Sequence, residues 1–276
     1  MDHVLSTHVI VRHRLNTVWL RRIWEAGIPA VEIFCARQHL DWSNRAQVDE
    51  LGHWFQDAEL KLHSLHSPMY TDDVWGKSGP NSVINLTEPS KPKRLLMVDE
   101  IKRVLEIAEN VPCRYLIQHL GVSGEEYDER KLDAAFSALE DIHLFASNRG
   151  VEVLLENIPN RLSSAERLLH FLDVTHLNLG LCLDTGHANM SDGVETAYSL
   201  MAPRIRSTHL HDNDGVNDAH LFPMLAQGGT IDWTKTMNLL RSRPEQYPLL
   251  LELKESPDFP NPLDAARQVF ERLESL

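Results

Sequence analysis

The chain has 276 residues, with 27 Lys and Arg against 40 Asp and Glu, a formal charge of −13 with His neutral. Hydrophobic residues at 42% and charged residues at 24% give the balance of a folded globular chain, not of a disordered or fibrous one. The acidity disfavours general attraction to nucleic acid or anionic lipid, and no apolar run reaches the roughly 18 residues that argue a membrane span.

In chain order, the apolar pattern alternates between short strand-like runs and longer helical stretches. Val4–Val11 reads as a strand and Thr17–Ala26 as a helix stopped by Gly27. Strand Ala30–Cys35 is followed by helix Arg45–Glu59, and strand Leu60–His66 by helix Pro92–Asn110. Next come strand Cys113–His119 with helix Tyr127–Arg149, and strand Val151–Glu156 with helix Ser163–Leu172, where Ser163 and Glu166 fit a capping box. Strand Leu177–Asp184 precedes helix Asp192–Met201, and strand Ile205–His211 precedes helix Asp232–Arg241, with Asp232 as its cap. Strand Leu249–Glu252 and helix Pro262–Leu276 close the series. Eight such units predict a single α/β domain over residues 1–276, a (β/α)8 TIM barrel with parallel strands and crossover helices. No GxGxxG or Walker motif supports a doubly wound sheet. Two segments, 67–91 and 212–231, are long for barrel loops, and both follow strands on the face where barrels keep their chemistry.

Cys35, Cys113 and Cys182 make neither a disulfide framework nor a CxxC motif, and the N-terminus shows no basic-then-apolar leader. A reducing, cytoplasmic setting is the expectation. The unusual count is fifteen histidines, because His is the commonest metal ligand and the near-neutral acid and base. Several fall at strand ends. The strands end in His66, His119, Glu156, Asp184 (with His187 close behind), His209 with His211, and Glu252. Carboxylates and imidazoles from six strands would thus converge on one mouth, where a divalent cation would offset the carboxylate repulsion. The loop after strand seven adds Asp218 and His220 as ligands for a second ion. Lys254 shares the parity of Glu252 and is a candidate substrate contact. Trp42, Tyr70 and Trp75 lie in loops that either cover a substrate or pack a lid, and Cys182 reads as core. His63, opposite in parity to His66, is expected to pack against a helix, while His8 and His13 stay unassigned.

The stretches Leu154-Leu155-Glu156-Asn157, Leu183-Asp184-Thr185-Gly186-His187-Ala188-Asn189, His209-Leu210-His211-Asp212-Asn213-Asp214-Gly215, Asp218-Ala219-His220-Leu221 and Gly229-Thr230-Ile231-Asp232-Trp233 together resemble the xylose isomerase-like barrel superfamily. That group holds sugar phosphate isomerases and epimerases and the endonuclease IV-like AP endonucleases. Resemblance to the epimerases implies one divalent ion, commonly manganese, on Glu156, Asp184, His209 and Glu252. Glu156 and Glu252 would then be the catalytic proton-transfer pair and His187 would contact substrate; His211, beside His209 on one side of its strand, and Lys254 are further candidate substrate contacts on position alone. Resemblance to the endonucleases implies three zinc ions on His66, His119, Glu156, Asp184, His187, His209, Asp218, His220 and Glu252, with Arg37 and Tyr70 on loops that could meet a duplex. The apolar stretch Leu221–Gln227 departs from the short glycine-rich endonuclease turn.

The expected function is therefore a divalent-metal sugar, sugar phosphate or keto-polyol isomerase or epimerase. The alternatives are a three-zinc AP endonuclease, a related lyase or dehydratase acting on an oxidised sugar, and a non-catalytic binding protein. Manganese or zinc, and equally magnesium or cobalt, suit Glu, Asp and His donors, at one to three ions per chain. A small carbohydrate is the expected partner, with no membrane; an endonuclease would add nucleic acid, and a homo-oligomer is compatible with every reading.

Overall fold

In the computed structural model, which describes residues 1–276 with the side chain of Asn81 apart, the strands in chain order are β1 His3–Ser6, β2 Ala30–Phe34, β3 Lys61–His66, β4 Tyr115–His119, β5 Glu152–Glu156, β6 Gly180–Asp184, β7 Ile205–His209 and β8 Leu249–Leu251. All pair in parallel, in the order β7-β6-β5-β4-β3-β2-β1-β8. The ring closes where the Leu210 N–H donates to the Leu250 carbonyl and the Glu252 N–H donates to the Leu210 carbonyl. This is the expected (β/α)8 barrel. Around it lie α1 Thr17–Glu25, α2 Arg45–Asp57, α3 Lys91–Leu105, α4 Glu129–Ser147, α5 Ala165–Thr175, a single-turn α6 Thr185–Asn189, α7 Val194–Met201, α8 Trp233–Leu240 and α9 Pro262–Ser275. Among the described residues no helix is long and apolar enough to cross a membrane.

Alternation along each strand sorts the side chains. Outward residues such as Leu5, Val31, Leu65, Leu116, Leu155, Leu181, Leu249 and Leu251 join one apolar layer with the helices. Tyr115, Ile117, Leu154 and Cys182 form a separate cluster inside the ring, so Cys182 is core, as expected. Burying this much apolar surface supplies the main drive for folding.

Three expectations need correction. The first strand stops at Ser6, not Val11, because the Ser6 hydroxyl accepts from the His8 N–H and turns Thr7–Ile10 into a 3-10 helix. The cap of α5 is Ser164, which accepts from the Arg167 N–H; Ser163 instead donates to the Leu120 carbonyl. His63 faces into the barrel rather than a helix: Val31 pairs with Leu62 but Glu32 pairs with Ser64, so His63 is an extra, bulged residue. Its Nε2 reaches Ser207 Oγ across the ring at 3.2 Å, and its imidazole meets the edge of Tyr115.

Burial is the largest influence on both His63 and the fully buried His39, and holds each imidazole down at about 4. Each therefore folds neutral but takes up a proton more readily when unfolded. Its contribution is complete above the unfolded value near 6.5 and is lost as pH falls through about 4, up to about 3 kcal/mol for each. Urea unfolding at pH 7.5 and 4.5 is expected to show this acid-side loss, reduced in His39→Gln. An identical loss in that variant would remove His39 as a cause.

Candidate active site and metal centre

The C-terminal ends of the strands deliver the expected side chains to one mouth. Glu156, Asp184 and His209 are completely buried, His66 and Glu252 nearly so. Pairing sets them side by side: His119 lies opposite Glu156 on β4 and β5, and Asp184 opposite His209 on β6 and β7. Asp184 also caps α6 through the His187 N–H at 2.7 Å, which carries His187 over the mouth.

Most of the imidazoles are held by one nitrogen and aimed with the other. His66 Nδ1 donates to the Ser67 carbonyl (2.9 Å), His187 Nδ1 to the Asn157 carbonyl (3.0 Å) and His220 Nδ1 to the Glu252 carbonyl (2.9 Å). A carbonyl can only accept, so when each ring is neutral, as a metal ligand must be, its lone pair sits on Nε2. His209 is held by the other nitrogen: Nε2 donates to Glu32 Oε2 at 3.2 Å, and Glu32 also accepts from Ser64 Oγ at 2.8 Å. The bare Nδ1 of His209 then faces Glu156 Oε1 at 3.2 Å and Glu252 Oε2 at 3.3 Å.

The donor chemistry fits divalent cations. Glu156 Oε1 and His209 Nδ1 are buried and only 3.2 Å apart, yet neither makes a hydrogen bond. Buried polar atoms are rarely left without a partner, and a cation between the two would supply one. Glu156, Asp184, His209 and Glu252 form one group with donor atoms within 4.8 Å of one another; His66, His119 and Glu156 form a second; His187, His211, Asp218 and His220 a third. Every one of the nine expected ligands belongs to one of these three groups.

The charges reinforce each other. Burial opposes ionisation of His187 and His209, but the surrounding carboxylates raise both well above the ordinary imidazole value. Burial likewise opposes His220, and Glu252 and Asp218 raise it to about 9. Against the same desolvation, Glu156 and Asp218 are lowered by the imidazoles beside them.

A cavity of about 180 Å³ opens on this mouth, lined by His8, Phe34, His66, Trp75, His119, Glu156, His187, Asp218, His220, Glu252 and Lys254 among others. His187 and Lys254 thus reach the space a substrate would fill. His211 does not: it is fully buried, bonded to Asp184 at 3.1 Å and stacked on His220 with centroids 3.8 Å apart. A Cβ on Gly186 would lie 2.0 Å from its ring, so only glycine lets α6 pass there. Asp212 clasps the long loop instead of facing the mouth, accepting from the N–H groups of Asn213, Thr230 and Ile231 and from Trp233 Nε1. Asp232 caps α8 as expected.

Trp75 walls the cavity, whereas Trp42 is buried and donates to Glu100. Arg37, expected on a face open to a duplex, is committed to the same Glu100 at 2.8 Å and lies over the Trp42 ring. Two residues were missed by strand-end reasoning. Glu32 lies within β2 rather than at its tip, and His8 follows a strand that ends early. His8 packs against Phe34, Trp75 and His220 with its Nδ1 unpartnered and 4.0 Å from Glu252.

Sequence and structure comparisons agree with this architecture. An uncharacterized protein of Methanocaldococcus jannaschii is 28% identical over 168 residues, which span 60% of this chain and 61% of that protein, less than two thirds of its length. A probable endonuclease 4 of Natronomonas pharaonis is 29% identical over 150 residues, 49% of this chain and 53% of its own. The solved structure of a D-tagatose 3-epimerase-like protein superposes with a TM-score of 0.76 at 24% identity, covering 100% of this chain and 97% of that one. The family described as the xylose isomerase-like TIM barrel matches residues 20–276. The chain therefore belongs to the xylose isomerase-like TIM barrel family.

Proposed function

We propose that this protein is a divalent-metal-dependent isomerase or epimerase of a small carbohydrate, with Glu156 and Glu252 moving the proton. The observation that carries the reading is the convergence of these two buried carboxylates on His209 Nδ1, at 3.2 and 3.3 Å, at the floor of one small chamber. Removing a proton from one face of a carbon and returning it to the other calls for a base on each side of the substrate, and transfer between neighbouring carbons is served by either. Glu156, Asp184, His209 and Glu252 would hold the cation, which when bound supplies Lewis-acid polarisation of substrate oxygens. His187 and Lys254 would bind hydroxyls, and Phe34 and Trp75 would exclude water from the reacting carbon.

Protein purified without added metal and then loaded with manganese or zinc is expected to exchange solvent deuterium into one carbon of a keto-sugar, with mass otherwise conserved. No exchange across a broad keto-sugar panel would sink the reading, and loss of a β-substituent would reassign the protein as a lyase or dehydratase.

A second reading, a three-zinc phosphodiester hydrolase of the AP endonuclease kind, draws on one observation: Glu156 is common to two ligand groups, and a third group adjoins them. About three zinc ions per chain and cutting of an abasic duplex would favour it; about one ion and no cutting would remove it.

A further inference from the structure

Beside the metal-lined chamber lies a second cavity of about 260 Å³ that shares Met69, His119, His187 and Asp218 with it. Its walls differ in kind. Tyr70, Val83, Ile84, Val122, Ile158 and Pro159 make it apolar. It sits outside the barrel ring, between the loops that follow β3, β4 and β5. The first of these loops is folded back on itself as a wall: Tyr70 bridges Val83, the Thr71 N–H donates to the Ser82 carbonyl, and the Ile84 N–H donates to the Met69 carbonyl.

Two polar side chains stand in its wall with their oxygens sealed from it. Gln118 points away from the barrel interior, opposite in parity to Ile117 and His119. It is 4% exposed, and its amide nitrogen donates to the His119 carbonyl, but its Oε1 is unpaired. Ser67 is 3% exposed, and its hydroxyl is unpaired as well. Both oxygens are closed off even to a water molecule, so the space offers a ligand apolar contact rather than hydrogen bonds from these two residues.

We infer that this cavity is a subsite for an apolar substituent on the sugar, an aryl or alkyl group. The substrate is then a keto-glycoside or keto-sugar conjugate, which keeps the carbonyl the reaction needs, rather than a free monosaccharide. The inference rests on the carbohydrate reading of the chamber next door. The size is adequate, since an apolar cavity of about 150 Å³ accepts a benzene ring. The shared wall means that one molecule spans both cavities, its sugar against the carboxylates and its apolar end between Tyr70 and Ile158.

The test is titration calorimetry on the metal-loaded protein with methyl, phenyl and 4-hydroxyphenyl β-glycosides of D-glucose, D-galactose and D-xylose, and with benzyl alcohol as a probe lacking sugar. The phenyl glycoside is expected to bind at least about tenfold more tightly than the methyl glycoside of the same sugar, and the 4-hydroxyphenyl glycoside no more tightly than the phenyl. Filling the cavity with Val122→Trp, or capping it with the exposed Ser123→Trp, is expected to bring the phenyl-to-methyl ratio near one while metal content and circular dichroism stay unchanged. Equal affinities for methyl and phenyl glycosides in the parent protein would overturn the subsite and leave the carbohydrate reading standing. Binding of benzyl alcohol that either variant abolishes, with no glycoside bound, would support the apolar subsite and overturn the carbohydrate reading. No binding of any probe would overturn the subsite.

Discussion

Glu156→Gln is expected to remove the metal centre and at least about a thousandfold of turnover. Glu156 belongs both to the group with His66 and His119 and to the group with Asp184, His209 and Glu252. Its carboxylate touches four imidazoles, those of His66, His119, His187 and His209, at 3.1–3.6 Å. An amide keeps the size but loses the charge and offers one weak oxygen, so both groups lose their shared anionic donor at once. Elemental analysis of the purified variant should find bound metal lost, and a bound-metal content equal to the parent would refute the assignment. The substitution is isosteric, so circular dichroism and thermal melting of the metal-stripped proteins check that the barrel still forms.

Glu32→Gln is expected to weaken metal binding by about 10- to 100-fold without replacing any ligand. Glu32 accepts from His209 Nε2 and thereby leaves Nδ1 bare toward Glu156 and Glu252. A glutamine can present its NH2 to that nitrogen instead, which favours the other tautomer and puts the proton on Nδ1, where a cation would have to displace it. Competition against a chromophoric chelator measures the affinity directly, independent of any substrate. Restoration by Glu32→Asp, with its shorter reach but the same charge, is expected to be partial. An unchanged affinity in Glu32→Gln would show that the His209 ring is held by packing alone.

Much of this site was legible in the sequence because parallel barrel strands present their last inward residue at one end. His66, His119, Glu156, Asp184 and His209 each close a strand, and Glu252 follows directly on β8. What stayed hidden has specific physical causes. Glu32 sits in the middle of Val31-Glu32-Ile33-Phe34, one layer below the mouth, so a rule about strand tips passes over it. His8 lies beyond the point where Ser6 ends the first strand, and alternation cannot be carried through a 3-10 turn. His63 defeats alternation through a bulge that no residue type announces. Asp212 and His211 carry the chemistry of ligands, but folding of the long loop commits Asp212 to backbone N–H groups, and stacking commits His211 to Asp184 and His220. The two cavities needed coordinates, because segments far apart in the chain enclose them, from His8 to Lys254 around the chamber and from Ser67 to Asp218 around its neighbour.

The way the imidazoles are anchored has a consequence for what inheritance can alter. His66, His187 and His220 are each oriented by a main-chain carbonyl, and no codon change at the anchoring position deletes a carbonyl. Those rings keep their aim while neighbouring residues drift. His209 alone of these four takes its orientation from a replaceable side chain, that of Glu32. Selection for a different ion, or for a different basicity at the floor of the chamber, therefore has one accessible dial. It lies on β2, a layer beneath the chemistry it adjusts.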